Sequence, residues 1–205
     1  MKIYWIRTQA PRRVLALAKH LRLEVELVEK DLMAGELQAA DYAALNPNRK
    51  APLLVDGDYA LWESSAIMAY LCRRAGSELW PSRADEQIEV LRWLSWNDQH
   101  WDPTVSPFYF ERVVKPQFGI GEPDLDLLAA SEAALHRYAR VLDDHLTGRR
   151  HLACGRLTIA DFQAASMACD WRQAQMPLHD YPHLLAWLEG LMALPAWAEP
   201  WPQAA

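Results

Sequence analysis

The hydrophobic patterning of the chain changes character once, near Gly76, and that change limits the architectures open to it. Before it, short apolar runs alternate with helical ones. Lys2–Ile6 is apolar and aromatic, as a buried strand is. Pro11 then opens a segment in which Val14, Leu15, Leu17, Ala18 and Leu21 recur at helical spacing, proline being tolerated in a first turn whose N–H groups lack partners. Val25–Val28 reads as a second strand, a weaker amphipathic stretch covers Glu36–Leu45, and Asn46-Pro47-Asn48 ends it. Ala51–Val55 and Tyr59–Leu61 are two strands joined at Asp56-Gly57, a hairpin signal. A helix from Ser64 or Ser65 to Leu71 carries Ala66, Ile67, Tyr70 and Leu71 on one face. The order βαβαββα predicts an α/β domain over residues 1–76.

Residues 77–85 hold Ser77, Pro81 and Ser82 without helical periodicity and read as a linker. Everything beyond it is helical in pattern: Glu86 to about Trp101, Asp124–Leu146 with a stripe of Leu128, Leu135, Tyr138 and Leu142, Thr158 to about Gln173, and Pro182–Leu194. The fold class expected is therefore α/β plus all-α, with an all-helical domain over residues 86–205. A length of 205 residues suits one large domain or two small ones. Lys and Arg total 21 against 27 Asp and Glu, a net charge of −6, which gives no general attraction to nucleic acid or anionic membrane. No apolar run approaches a bilayer span, and the first residues lack the apolar region of a secretory leader, so a cytoplasmic protein is expected. Cys72, Cys154 and Cys169 have no C-x-x-C spacing, and Pro182 interrupts the His179/His183 pair, so neither a disulfide framework nor a metal site is expected.

Three places carry chemistry. Leu61-Trp62-Glu63-Ser64-Ser65 sets an acid and two hydroxyls where a strand turns into a helix. A serine there serves as an N-cap, but the same amides and hydroxyl also bind a carboxylate while Glu63 holds an ammonium group, the two ends of an amino acid. Lys50-Ala51-Pro52 opens the hairpin; a cis X-Pro bond would turn the Ala51 backbone groups toward an extended peptide, with Lys50 near a second carboxylate. Without a ligand it is an ordinary turn beside a solvated lysine. Leu157-Thr158-Ile159-Ala160-Asp161-Phe162 has Thr158 as N-cap, Asp161 as the capping-box acid, and Leu157 against Phe162 as a hydrophobic staple.

Together, Ala51-Pro52, the Asp-Gly hairpin and Glu63-Ser64 after a βαβ start resemble the N-terminal, thioredoxin-like domain of the glutathione transferases. The run from Leu157 to Phe162 matches that superfamily's second mark, in the helical domain, and the resemblance covers essentially the whole chain. It implies a glutathione site in which Glu63 and Ser64 bind the γ-glutamyl group, the Ala51 backbone before a cis-Pro52 pairs with the cysteinyl segment, and Lys50 approaches the glycyl carboxylate. The family activates the thiol with Tyr, Ser or Cys. Here the region from Trp5 to Arg13 looks most like the Ser-using pattern of theta-like and related bacterial members, with Thr8 in the serine position and Arg7 or Arg12 adding positive field. Plain N-capping of the first helix is the competing role for Thr8.

The resemblance further implies a homodimer, with Asp98 reaching a glutathione amine across it, and an electrophile pocket between the domains. Ile6, Arg7, Trp96, His100, Trp101, Phe108 and Phe110 are its candidate walls, though aromatics at helical spacing are more often core. The expected activity is conjugation of the glutathione thiolate to small hydrophobic electrophiles, a detoxification chemistry with glutathione as co-substrate and no metal. A glutathione-binding module with little turnover, and a peroxidase or isomerase on the same fold, are the rival readings. Ten Trp are an unusual number, and they divide between the glutathione region (Trp5, Trp62), the linker (Trp80), the first helix of the second domain (Trp93, Trp96, Trp101), and the C-terminal helices and tail (Trp171, Trp187, Trp197, Trp201).

Overall fold

A computed structural model describes residues 1–202. The chain forms two compact units: Met1–Glu78 joined by the C-terminal segment that begins at Pro195, and Leu79–Leu194. In the first unit, β1 (Lys2–Trp5), α1 (Gln9–His20), β2 (Glu26–Glu29), a 3₁₀ turn (Glu36–Gln38), α2 (Ala40–Leu45), β3 (Leu53–Asp56), β4 (Tyr59–Trp62) and α3 (Ser64–Ala75) follow one another in the expected βαβαββα order. The sheet order is β2-β1-β3-β4. β1 runs parallel to β2 and antiparallel to β3, which is antiparallel to β4. Side chains alternate across it. Ile6 and Leu53 pack with Leu37 and Tyr42 under the loop and helix that precede β3. Ile3, Trp5 and Leu54, of opposite parity, are equally buried. α1 and α3 pack on one another through buried Val14, Leu15, Leu17, Ala18 and Ile67, Met68, Leu71. The β3–β4 turn has Gly57 at φ 60° in its first position, where a two-residue hairpin loop needs positive φ.

The second unit is helical: α4 (Ala84–Trp96), α5 (Asp102–Tyr109), α6 (Lys115–Phe118), α7 (Leu125–Leu146), α8 (Ile159–Ala165) and α9 (Pro182–Met192). The segment after Trp101, which lies outside the helices that the sequence pattern marks, continues as helix through Pro103, Pro107 and Pro116. Two π turns explain this, Asn97–Trp101 and Phe110–Val114. The N–H of Asp102 bonds to the carbonyl of Asn97, and that of Lys115 to Phe110, each donor standing immediately before a proline. Proline removes an N–H and crowds the carbonyl four residues back; widening the preceding turn by one residue accommodates both. α8 is shorter than its sequence pattern, giving way to a 3₁₀ turn at Ala168–Asp170.

α8 starts with the expected capping box. Thr158 Oγ1 accepts from the Ala160 amide at 3.3 Å, and one Asp161 oxygen accepts from the Thr158 amide at 2.9 Å. The other Asp161 oxygen accepts from the Leu152 amide and from Trp187 Nε1, both at 2.9 Å. Burial pushes the Asp161 carboxyl's pKa up, and the hydrogen bonds oppose that. One fully buried carboxylate thus joins the start of α8, the preceding loop and α9.

Asp161→Ala orphans three buried donors at about 1–3 kcal/mol each. The variant is expected to unfold the helical unit with a loss of about 3 kcal/mol or more, read from the urea midpoint followed by far-ultraviolet circular dichroism.

Candidate active site

Strand pairing brings the three sequence motifs of the first unit to one end of the sheet. Tyr4 pairs with Leu53 and Leu53 with Trp62, so these residues form one row across β1, β3 and β4. β1 leaves the row toward Thr8, β3 enters it from Ala51-Pro52, and β4 leaves it for Glu63 and Ser64. The antiparallel sense of both pairings puts these exits and the entry on the same side. α1 and α3 both start there, and neither has an acidic residue in its first turn. Two helix N-termini therefore add partial positive charge at that end.

Thr8 is the N-cap residue of α1 with extended backbone, φ −140° and ψ 171°, and its side chain makes no capping hydrogen bond. Thr158 has nearly the same backbone, φ −139° and ψ 173°, yet its hydroxyl does cap. The helices differ three residues on, where Asp161 reaches back to the Thr158 amide in α8 and Pro11 in α1 has neither an N–H nor a carboxylate; the Ala10 amide, counterpart of the Ala160 amide that Thr158 caps, is present in α1 but takes no bond from Thr8. The competing role of Thr8, side-chain capping, is thus not the one it has in this structure.

The Ala51–Pro52 peptide is cis, and Pro52 is buried. The loop before it is held from within. Asn46 Nδ2 and Tyr42 Oη donate to the Lys50 carbonyl at 2.7 and 2.8 Å, and the Asn48 amide donates to Asn46 Oδ1 at 3.0 Å. Burial pushes the Tyr42 hydroxyl up to about 12, so it stays protonated as the donor. Lys50 itself is exposed. The sequence pattern marked Asn46 only as a helix end; its role in fixing Lys50 and Ala51 depends on burial that no local signal shows.

Glu63 caps α3 from a backbone at φ 71° and ψ 118°, a conformation L-residues rarely adopt. Its side chain is exposed and makes no capping bond, while the Ile67 amide bonds to its carbonyl at 2.9 Å. Ser64 follows as the first residue of α3 and is buried.

The other candidates divide. Ile6 is buried at the end of β1, in the core described above. Arg7 is exposed with its guanidinium 5.3 Å from the Trp201 ring centroid, and Arg12 donates to the Trp197 carbonyl at 3.4 Å. In the helical unit, Trp101 is fully buried with Nε1 donating to the Ala164 carbonyl at 2.9 Å, and Phe108 is buried as well. Neither presents ligand-sized surface; their apolar spacing served the core. Trp96 and His100 are half-buried in an aromatic cluster with Trp93 and Tyr138, and Phe110 is exposed. Asp98 Oδ1 accepts from Asn97 Nδ2 and Gln163 Nε2, both at 3.0 Å. Trp197 and Trp201, expected among the helical domain's packing residues, lie in the first unit, beside α1 and Trp5. Among the described residues, no group of three or more His, Cys, Asp or Glu is placed to hold a metal ion, and no helix is long and apolar enough to cross a membrane.

The fold defines the class first: a thioredoxin-like α/β unit followed by a helical one. Residues 1–73 match the glutathione S-transferase N-terminal domain and residues 101–195 its C-terminal domain. The chain belongs to the glutathione S-transferase family. Among curated relatives, a probable glutathione S-transferase of rice (Oryza sativa subsp. japonica) is 32% identical over 90% of this chain and 87% of its own, and glutathione S-transferase 3 of maize (Zea mays) is 33% identical over 90% and 85%. Among solved structures, glutathione S-transferase I from maize in complex with an atrazine glutathione conjugate superposes with a TM-score of 0.86 at 26% identity, covering 99% of each chain. Glutathione transferase F7 of Populus trichocarpa gives 0.88 at 25% identity over 97% of this chain and 96% of its own.

Glu63→Gly relieves about 1–3 kcal/mol of backbone strain and forfeits up to about 1 kcal/mol of unfolded-chain entropy. The ligand-free variant is expected to be more stable by about 1 kcal/mol, seen as a higher urea midpoint; a lower midpoint would mean that the Glu63 side chain outweighs its backbone.

Proposed function

We propose that the chain conjugates the glutathione thiolate to small hydrophobic electrophiles, with Thr8 donating its hydroxyl hydrogen to the sulfur. The single observation that carries this reading is the convergence of Thr8, Ala51-Pro52 and Glu63-Ser64 at one end of the sheet, beside two helix N-termini. Glutathione is an anionic, extended tripeptide. Ser64 and the start of α3 take the γ-glutamyl carboxylate, Glu63 its ammonium, the Ala51 backbone the cysteinyl amide groups, and Lys50 the glycyl carboxylate. The Thr8 assignment follows the Ser-using, theta-like pattern, and a hydroxyl spared from capping supports it.

A free thiol of pKa about 8.5 is only a few per cent ionised near pH 7. A donated hydrogen bond and the positive end of α1 favour the thiolate, and lowering the pKa by about two units makes it the majority form. The thiol proton leaves to water. The sulfur lone pair then forms the S–C bond as the electrophile's leaving group departs, or as its double bond accepts the electron pair. Trp96, His100 and Phe110 are proposed as contacts for the electrophile; the maize relative in complex with an atrazine glutathione conjugate supports conjugation as the reaction. We further propose a cytoplasmic homodimer in which Asp98 faces the partner's glutathione.

Millimolar glutathione is expected to raise the Tm of the wild type, and Ser64→Ala to abolish most of that shift. Thr8→Ala is expected to keep the shift while kcat/KM toward an aromatic halide falls about 10- to 100-fold, with Thr8→Ser retaining most activity. Wild-type rates in Thr8→Ala sink the role given to the hydroxyl. Faster turnover of a hydroperoxide than of the halide would favour the peroxidase reading instead.

A further inference from the structure

Seven of the chain's eight glycines have positive φ, where glycine suits the backbone. Gly190 is the exception. It lies in the interior of α9, where glycine costs stability relative to alanine. Close packing does not account for it, because a Cβ built at Gly190 would meet no atom within 4 Å beyond its own helix backbone and adjacent residues. The missing side chain leaves open part of the wall of a cavity of about 480 Å³, which lies wholly within the helical unit.

The cavity has two kinds of wall. Ala186, Trp187, Gly190 and Leu191 recur three and four residues apart and so share one stripe of α9, which Leu194 extends past the helix end. From Ala186 to Leu194 the stripe is about 12 Å long at helical rise. Leu146 at the end of α7 and Leu157 before α8 complete the apolar side. The other wall is the loop after α7, through Gly148, Arg149, Arg150 and His151. Arg149 donates to the His145 carbonyl at 2.6 Å, and His151 Nδ1 lies 3.9 Å from Asp161 Oδ1. Arg150 is exposed and has no hydrogen bond, ion pair or ring contact among the described residues. No acidic side chain is among the described residues that line this cavity.

The same four loop residues also border a second cavity, of about 580 Å³, together with Glu89, Arg92 and His145. Arg92 is paired there with Glu89 at 2.5 Å. Burial lowers the His145 pKa, and the charges of Arg149 and Arg92 lower it further. The loop is thus a local ridge of positive charge in a chain of net charge −6, and Arg150 is its uncommitted guanidinium.

These walls select a ligand by its chemistry. Trp187 Nε1, the polar side-chain atom of the stripe, is spent on Asp161 at 2.9 Å. A sugar, a peptide or a nucleotide base laid on the stripe would leave its own polar groups unpaired, whereas an aliphatic chain has none to satisfy. A carboxylate matches the guanidinium fork of arginine. We propose that the groove beside Gly190 is a binding site for a medium-chain aliphatic carboxylate, its chain along α9 and its carboxylate on Arg150. The site draws on no residue of the first unit and does not depend on the glutathione reading.

The experiment is isothermal titration calorimetry of the full-length protein with decanoate below its micelle concentration, beside decanol and butyrate. Decanoate is expected to bind once per chain, with decanol about 3- to 10-fold weaker and butyrate giving no detectable heat. Gly190→Leu puts a side chain into the groove and should weaken decanoate at least 10-fold while raising the urea midpoint of the ligand-free protein. Ala186→Phe, at an exposed position of the same stripe, fills the groove independently and should weaken decanoate as well. Arg150→Ala should cost about 3- to 10-fold in affinity, and Arg150→Lys less. No heat with decanoate, or wild-type affinity in both filled variants, overturns the site. Decanol binding as tightly as decanoate, or wild-type affinity in Arg150→Ala, overturns the assignment to a carboxylate.

Discussion

The pairing of β3 with both β1 and β4 in antiparallel sense is the constraint on which the rest of the first unit depends. It sets Tyr4, Leu53 and Trp62 in one row, and Thr8, Ala51 and Glu63-Ser64 of this unit lie just beyond that row. Register is held by burial. A slip of one residue would turn Leu53 and Ile6 away from the core they share with Leu37 and Tyr42. The same pairing collects the starts of α1 and α3, so an acidic chain of net charge −6 presents helix N-termini with no acid in their first turns. The two N-termini give this end a local positive field, against the sign of the whole molecule.

Thr8 and Thr158 form an internal comparison between a threonine that caps its helix with its side chain and one that does not. Their backbones agree within a few degrees, and each begins an α-helix. With Asp161 three residues on, Thr158 is consumed by the capping box and is fully buried. With Pro11 three residues on, Thr8 has no comparable partner, and it stays only half-buried. Pro11 lies in the first turn of α1, where its fixed φ suits the helix and its missing N–H has no helical partner. Glu63 is a related case: at a capping position with positive φ, its side chain is exposed and makes no capping bond to α3.

The legible parts of the fold were those decided within a few residues. The Asp56-Gly57 hairpin, the cis bond before Pro52, the Thr158–Asp161 box and the βαβαββα order all follow from local chemistry, and all are present. The site motifs at Lys50–Pro52 and Glu63-Ser64 were visible for the same reason. What escaped was decided at a distance. Periodicity cannot tell a buried aromatic from a ligand-facing one, so Trp101 and Phe108 were grouped with exposed Phe110 until burial separated them. Helix through Pro103, Pro107 and Pro116 escaped for the same reason, because a helix breaker carries no sign that a π turn will absorb it. Asn46 and Tyr42 looked like loop and helix residues, and only the folded geometry brings both onto the Lys50 carbonyl.

The C-terminal segment is the largest such case, and it changes what counts as the first unit. Residues up to Glu78 supply the whole sheet and its three helices, yet Trp5 and the outer side of α1 are covered by Trp201 and Trp197. Indole suits this role, since each ring buries a large apolar area and also offers a π-face to a guanidinium. The end of β1 and α1 therefore gain part of their packing from residues some 180 or more positions later in the sequence. Closing contacts of that separation carries an entropic cost that grows slowly with loop length. Two stacked tryptophans, two cation–π contacts and two hydrogen bonds to main-chain carbonyls oppose it. The abundance of Trp in this chain thus has one clear use in the first unit: it ties the end of the chain to the strand and helix that begin it.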